Sequence, residues 1–195
     1  MTDKNIHFSK LSDEWNTADD FFHLLDKEWK FDVDVAASKD NFKVKTYFTK
    51  EDDALSMDHW AKRGDVCWMN PPYSKVGKFI KKADEQWKKN GIITVALIAA
   101  RTDTQYFHNY IWDKWQNISR DGISCFFLEG RLKFYLPITT EVEQAVFKGE
   151  KVPKCVHNAM ALDLPTATDF APFPSLLVVF GSEKGCFYPP SKRSH

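Results

Sequence analysis

Four consecutive residues, Asn70-Pro71-Pro72-Tyr73, set an amide, two pyrrolidine rings and a phenol side by side after the apolar run Val66-Cys67-Trp68-Met69. Proline locks φ, so a Pro-Pro turn closing a strand presents its flanking side chains with little backbone freedom. Such a constellation suits methyl transfer to an exocyclic amino group. The lone pair of an adenine N6 is conjugated into its ring and is a poor nucleophile. Hydrogen bonds from the amino protons to the Asn70 side-chain oxygen and the Pro71 carbonyl would draw that nitrogen towards tetrahedral geometry, while Tyr73 stacks on the base. A strand-ending turn with Asn70 as a local cap is the plain alternative for the same four residues.

The elements that must position this corner follow from periodicity. Thr17-Ala18-Asp19-Asp20 has a capping pattern with Thr17 at the helix start, and Phe21, Phe22, Leu24, Leu25 and Trp29 supply the buried face. Phe31 to Val35 and Asp65 to Met69 read as short strands, with a weaker one over Lys43 to Thr49. Val76, Phe79, Ile80, Ala83 and Trp87 form a helical stripe, which Asn90-Gly91 closes. Ile92 to Ala100 is nearly all apolar, as expected of a parallel strand covered on both faces. Thr102 or Asp103 caps a helix running to about Trp115. Ile123–Leu128 and Leu132–Tyr135 flank a hairpin-like turn at Glu129-Gly130-Arg131, residues 137–168 keep no period, and Ser175–Phe180 is a final strand. Together these predict an α/β protein with a mostly parallel sheet, helices on both faces and a β-hairpin-rich C-terminal part. Ligands in such sheets bind beyond the carboxyl ends of the strands. Asp34–Ser38, Asn70–Tyr73 and Arg101–Thr104 all fall on that rim.

Composition sets the outer bounds. The 195 residues suffice for one domain with a sizeable core. We place it at residues 15–188, with flexible ends at 1–14 and 189–195. No apolar stretch approaches a membrane span or a signal-peptide core, so an intracellular, cytoplasmic protein is expected. The four cysteines are widely spaced without a C-x-x-C pair, which suggests buried thiols and no metal site. Lys plus Arg equals Asp plus Glu at 27 each. A nucleic-acid binder of zero net charge must therefore gather its cations on one face. Arg101, Arg131 and Lys133 are candidates. Most of the lysines after Tyr73, from Lys75 to Lys89, read as a solvated helix face.

From Trp15 to Phe180 the chain resembles the phage-type DNA N6-adenine methyltransferase family (Dam-type). The matching segments stand in the family's order: Asp13–Thr17, Phe31–Ser38, Tyr47–Thr49, Trp68–Tyr73, Ala100–Thr104 with Phe107-His108, Gly130–Phe134 and Ala171–Ser175. Ala18 stands where the family tends to have Pro, a small loss of rigidity at a first helical turn. The resemblance implies a Rossmann-like methyltransferase fold, S-adenosylmethionine as cofactor and double-stranded DNA as partner, in a bacterial host if the gene is carried by a phage. It makes Asn70, Pro71, Pro72 and Tyr73 the catalytic corner. Thr17, Asp34, Ala36, Asp52, Asp53 and Asn70 become cofactor residues: Thr17 at the methionine part, Asp34 at the ammonium or a nearby donor, and Asp53 ahead of Asp52 at ribose or adenine. The target adenine must flip out of the duplex, held by Arg101, Arg131 and Lys133, with 137–168 as a target-recognition insertion. No general base of strongly shifted pKa is expected, and His108 reads as structural.

Three rival readings stay open on sequence alone. The same corner could serve RNA bases or a protein glutamine, or the domain could bind nucleic acid without catalysis. A nucleotide-dependent oxidoreductase is weakened by the missing G-x-G fingerprint.

Overall fold

The computed structural model describes residues 16–137, 140–148, 154–164, 166–171 and 173–182. Trp15 and the expected flexible ends lie outside the described residues. The chain runs β1 (Asn16–Thr17), α1 (Asp19–Trp29), β2 (Val33–Asp34), β3 (Val66–Met69), α2 (Val76–Glu85), β4 (Ile93–Ala99), β5 (Trp112–Asp113), β6 (Ile118–Ser119), β7 (Ile123–Phe127), β8 (Lys133–Pro137), α3 (Thr140–Phe147), α4 (Lys154–Ala161), β9 (Thr166–Phe170) and β10 (Ser175–Phe180).

A five-stranded sheet in the order β2-β3-β4-β10-β7 carries the core. β2, β3 and β4 pair in parallel, whereas β10 pairs antiparallel with both β4 and β7. A second sheet, β1-β8-β9, and the small β5-β6 pair are antiparallel. The architecture is therefore α/β with a mixed sheet, in which antiparallel ladders outnumber parallel ones. The expectation of a mostly parallel sheet is corrected on this point. An all-apolar strand signals burial on both faces but says nothing about direction.

Each face of the main sheet has its own core. Cys67 and Met69 of β3 point with Ala96 and Ile98 towards Phe79, Ile80 and Ala83 of α2. Trp68, Val95 and Leu97 point the other way, towards Phe22 and Leu25 of α1 and Phe134 of the second sheet. Helices thus cover both faces, as the α1 and α2 stripes predict. Gly91 ends the second helix in the left-handed region at φ 66°, and its N–H bonds to the Trp87 carbonyl.

Several local expectations are corrected. Thr17 is not a helix cap: it lies in β1 opposite Phe134, and Ala18 is the N-cap with no side-chain hydrogen bond. Lys43–Thr49 contributes a single bridge, Asp34 to Tyr47, rather than a strand. The helix after Thr104 ends in a π-helical turn at Phe107–Ile111, and Trp112 then starts the β5-β6 pair. The Glu129–Arg131 turn joins two different sheets instead of closing a hairpin, because β7 pairs with β10 and β8 with β1 and β9. Within 137–168 stand two helices, α3 and α4, whose weaker apolar patterning hid them.

One buried polar side chain secures the loop beside the site. Gln86 is 1% exposed; its Oε1 accepts the Trp60 N–H at 3.1 Å, and its Nε2 donates to the Asp58 carbonyl at 2.9 Å. The Trp60 indole in turn donates to the Ala54 carbonyl at 2.7 Å. Each orphaned group costs roughly 1–3 kcal/mol, so Gln86→Leu is expected to destabilise the fold by about 2–4 kcal/mol in urea unfolding.

Candidate active site

A cavity of about 600 Å³ opens beyond the carboxyl ends of β2 and β3. Residues 35–39 and Asn41 form one wall, residues 48–51 and 53–55 a second, and Asn70, Pro72, Ser74, Lys75 and Phe79 a third. The parallel ladder sets this geometry. Trp68 pairs with both Asp34 and Val95, so β3 delivers Asn70 to the rim between its two neighbours.

Asn70 and Pro72 face the cavity, and Pro71 is buried. A short 3-10 turn carries Tyr73, whose ring meets Phe173 edge-on at 5.0 Å between centroids. The Asn70 Nδ2 donates to Thr17 Oγ1 at 3.0 Å, although Thr17 itself is 3% exposed and stands behind the cavity wall.

Asp34 also lies behind the wall, 3% exposed. Its carboxylate accepts the Ala36 N–H at 3.2 Å and the Lys43 N–H at 3.0 Å, fixing both ends of the loop that lines the cavity. The Lys43 ammonium is turned to Asp19 instead. Burial pushes the Asp34 pKa up to about 6, against those two backbone hydrogen bonds and the more distant Lys43 charge, which favour ionisation. Asp53 faces the cavity with φ 49°, a left-handed conformation that Asp tolerates. Asp52 does not. Its carboxylate accepts the Thr49 N–H and hydroxyl, both at 2.8 Å, and these bonds hold its pKa below the usual range.

The cation candidates gather elsewhere on the rim. The Ala100 N–H bonds to the Pro174 carbonyl at 2.9 Å, which brings the exposed Arg101 beside Phe173. Arg131 donates from Nη1 to the Ala171 carbonyl at 3.2 Å, on the other side of the same segment. Lys133 lies over the Phe170 ring on the outer face of the second sheet, with exposed Tyr135 two residues along the strand. In the lysine-rich helix Lys78, Lys81, Lys88 and Lys89 are exposed, in keeping with a solvated face, whereas the Lys82 side chain is 15% exposed beside Glu85 and Lys88 reaches the buried Asp84.

Sequence reasoning missed Lys39, Lys50 and Phe173, the last legible only as part of a family segment, and it grouped Lys75 with the solvated helix face, whereas Lys75 lines the cavity. Isolated exposed lysines carry no periodic signal. His108, kept out of the catalytic set, has a buried Nδ1, and its carbonyl accepts from Arg120. Among the described residues no group of His, Cys, Asp and Glu could hold a metal, and no helix is long and apolar enough to cross a membrane. Cys67 and Cys125 are free, and burial pushes the Cys125 thiol up to about 12.

Fold and site define an α/β protein with a cavity of mixed polar and apolar lining at the carboxyl ends of parallel strands and with Asn70 and Pro72 of an Asn-Pro-Pro-Tyr corner on its wall. The chain belongs to the DNA N-6-adenine-methyltransferase (Dam) family, whose model matches residues 5–158. It is 36% identical over 109 residues to the DNA N-6-adenine-methyltransferase of Haemophilus phage HP1, covering 55% of this chain and 61% of that one. A namesake from Escherichia phage T1 is 35% identical over 98 residues, half of this chain and 40% of its own. The chain thus spans between two fifths and three fifths of the curated relatives it matches.

The raised pKa of Asp34 makes a stability prediction. A carboxyl raised from 3.8 to about 6 favours its neutral form in the fold, so its contribution is fully present below about pH 4 and is lost as pH rises through 6. The loss amounts to roughly 3 kcal/mol by pH 8. In paired urea titrations, Asp34→Asn should gain on the wild type by up to about that amount between pH 4 and pH 8. A pH-independent difference would place the titration elsewhere.

Proposed function

We propose that this chain transfers a methyl group from S-adenosylmethionine to the N6 amino group of adenine in double-stranded DNA, within the cytoplasm of a bacterial host. The observation that carries the reading is the position of Asn70, on the cavity wall and next to the Pro71-Pro72-Tyr73 turn. Membership of the family supports it. So does the parallel β2-β3-β4 unit with a cavity at its carboxyl ends, which we read as the core of a Rossmann-like methyltransferase fold whose β10 is reversed.

The cavity suits the cofactor chemically. Glu51 and Asp53 are acceptors for ribose hydroxyls, Lys39, Lys50 and Lys75 are cations for a carboxylate, and Ala36 and Ala37 leave room for close approach. Asp34 and Asp52 act from behind, through the loops they hold. S-adenosylmethionine supplies an electrophilic methyl on sulfur. The chain's own residues prepare the nucleophile: Asn70 Oδ1 and the Pro71 carbonyl accept the amino protons and localise the lone pair. Tyr73, steadied by Phe173, covers one face of the base. Placed dipoles of this kind need no reorganisation during reaction, and water can take the proton from the methylated amine.

A stacked base cannot enter the cavity, so the adenine is flipped. Arg101 and Arg131 flank the Phe173 segment where the displaced strand would pass. Lys133, Phe170 and Tyr135 extend that track over the second sheet, and α3 and α4 are the segments we assign to target contact. One Arg131 donor is occupied by Ala171, but a guanidinium has five.

Two outcomes are expected. Asn70→Ala should fold and keep most of its S-adenosylmethionine affinity but transfer tritiated methyl to DNA about 10²–10³-fold more slowly at saturating cofactor; near-normal turnover would refute the mechanism. Replacing Arg131 and Lys133 together with Ala should lower the slope of log K against log salt for duplex DNA by up to about 0.9 per lost phosphate contact, whereas a Lys88 and Lys89 double replacement should change it little. The reverse pattern would move the DNA track to the lysine-rich helix.

A further inference from the structure

We propose that Thr17 is a positioning residue for the catalytic amide: its hydroxyl accepts a hydrogen bond from Asn70 Nδ2 and so turns Asn70 Oδ1 towards the reacting amine. The inference rests on the function proposed above. A terminal amide rotates about χ2 in a broad, two-fold potential, so its oxygen and nitrogen ends exchange places easily unless one is held. If the nitrogen end faced an adenine amino group, donor would meet donor and the activation of N6 would be lost. A partner that accepts from Nδ2, placed on the side away from the cavity, holds the productive orientation; a hydroxyl can also donate, and in this structure the Thr17 hydroxyl accepts.

Thr17 meets both requirements. Its Oγ1 lies 3.0 Å from Nδ2, and Thr17 stands behind the wall on which Asn70 lies. It is also rigidly placed. Its backbone pairs with Phe134 in β1-β8, and α1 starts two residues later. Phe22 of that helix packs on Trp68, two residues before Asn70. Donor and acceptor are thus tied to one local framework.

The test uses the full chain with Thr17→Val, which keeps the shape but cannot accept, and Thr17→Ser, which can. Under single turnover with saturating tritiated S-adenosylmethionine and duplex DNA, Thr17→Val should slow transfer about 10–100-fold, the scale of a misplaced reacting group. Cofactor affinity by calorimetry should stay within about 3-fold and Thr17→Ser should restore most of the rate, since only one neutral hydrogen bond is removed. Adding Thr17→Val to Asn70→Ala should cost nothing further, because both changes remove the same function. Independently of activity, the Asn70 side-chain amide resonances, assigned by their loss in Asn70→Ala, should shift in Thr17→Val and return in Thr17→Ser. A wild-type rate in Thr17→Val, a loss recovered by more cofactor, an additive double variant, or unmoved amide resonances would each overturn the proposal. A wild-type chain that leaves DNA unmethylated would defeat the proposed function instead, and the amide resonances would still decide whether Thr17 holds Asn70.

Discussion

The indole of Trp68 packs edge-on against Phe22 and tilted against Phe31, each with centroids 5.4 Å apart, and is 1% exposed. That contact joins three things the site requires. Trp68 belongs to the strand that ends in Asn70, Phe22 to the helix that follows Thr17, and Phe31 to the approach to β2 and Asp34. Aromatic groups of this size dominate core energetics, and their tilted contacts restrict sliding as well as separation. On the opposite face Cys67 and Met69, both fully buried, bind the same strand to α2. A four-residue strand buried on both sides leaves the Pro-Pro turn no room to drift.

Around that fixed corner the chain places its charge unevenly. A carboxylate sealed behind the cavity, satisfied only by backbone amides, costs stability at neutral pH. What it secures is the shape of the loop that forms one wall. The opposite wall is held by Gln86 through Asp58 and Trp60. Two buried polar groups, on separate elements, thus shape one cavity from two sides, while net charge stays at zero. The cations proposed to meet DNA, Arg101, Arg131 and Lys133, are gathered instead near the junction of the two sheets.

What could be read from the sequence was what local chemistry dictates. The Pro-Pro turn at 71–72, the helical stripe from Val76 to Trp87 and the left-handed Gly91 each announce themselves within a few residues. Asn70 and Arg101 were legible as rim residues because strand-to-helix corners imply a rim, whereas Asp34, read onto the same rim, is buried behind the wall. Partners chosen at long range were not. Thr17 looks like a helix cap locally, yet its hydroxyl serves a residue 53 positions away. The turn at Glu129–Arg131 looks like a hairpin, but the pairing of β7 was decided by β10, whose direction no apolar pattern encodes. Lys39, Lys50 and Lys75 came to one cavity through the fold alone.

The central claim is that the Asn70 corner acts on adenine N6, and the chemical identity of the product tests it most directly. Unmethylated duplex DNA incubated with the protein and S-adenosylmethionine, then digested to nucleosides and resolved by mass spectrometry, should yield N6-methyldeoxyadenosine. Methyl groups on cytosine alone, or no methylated nucleoside from a folded protein that binds the cofactor, would contradict the account.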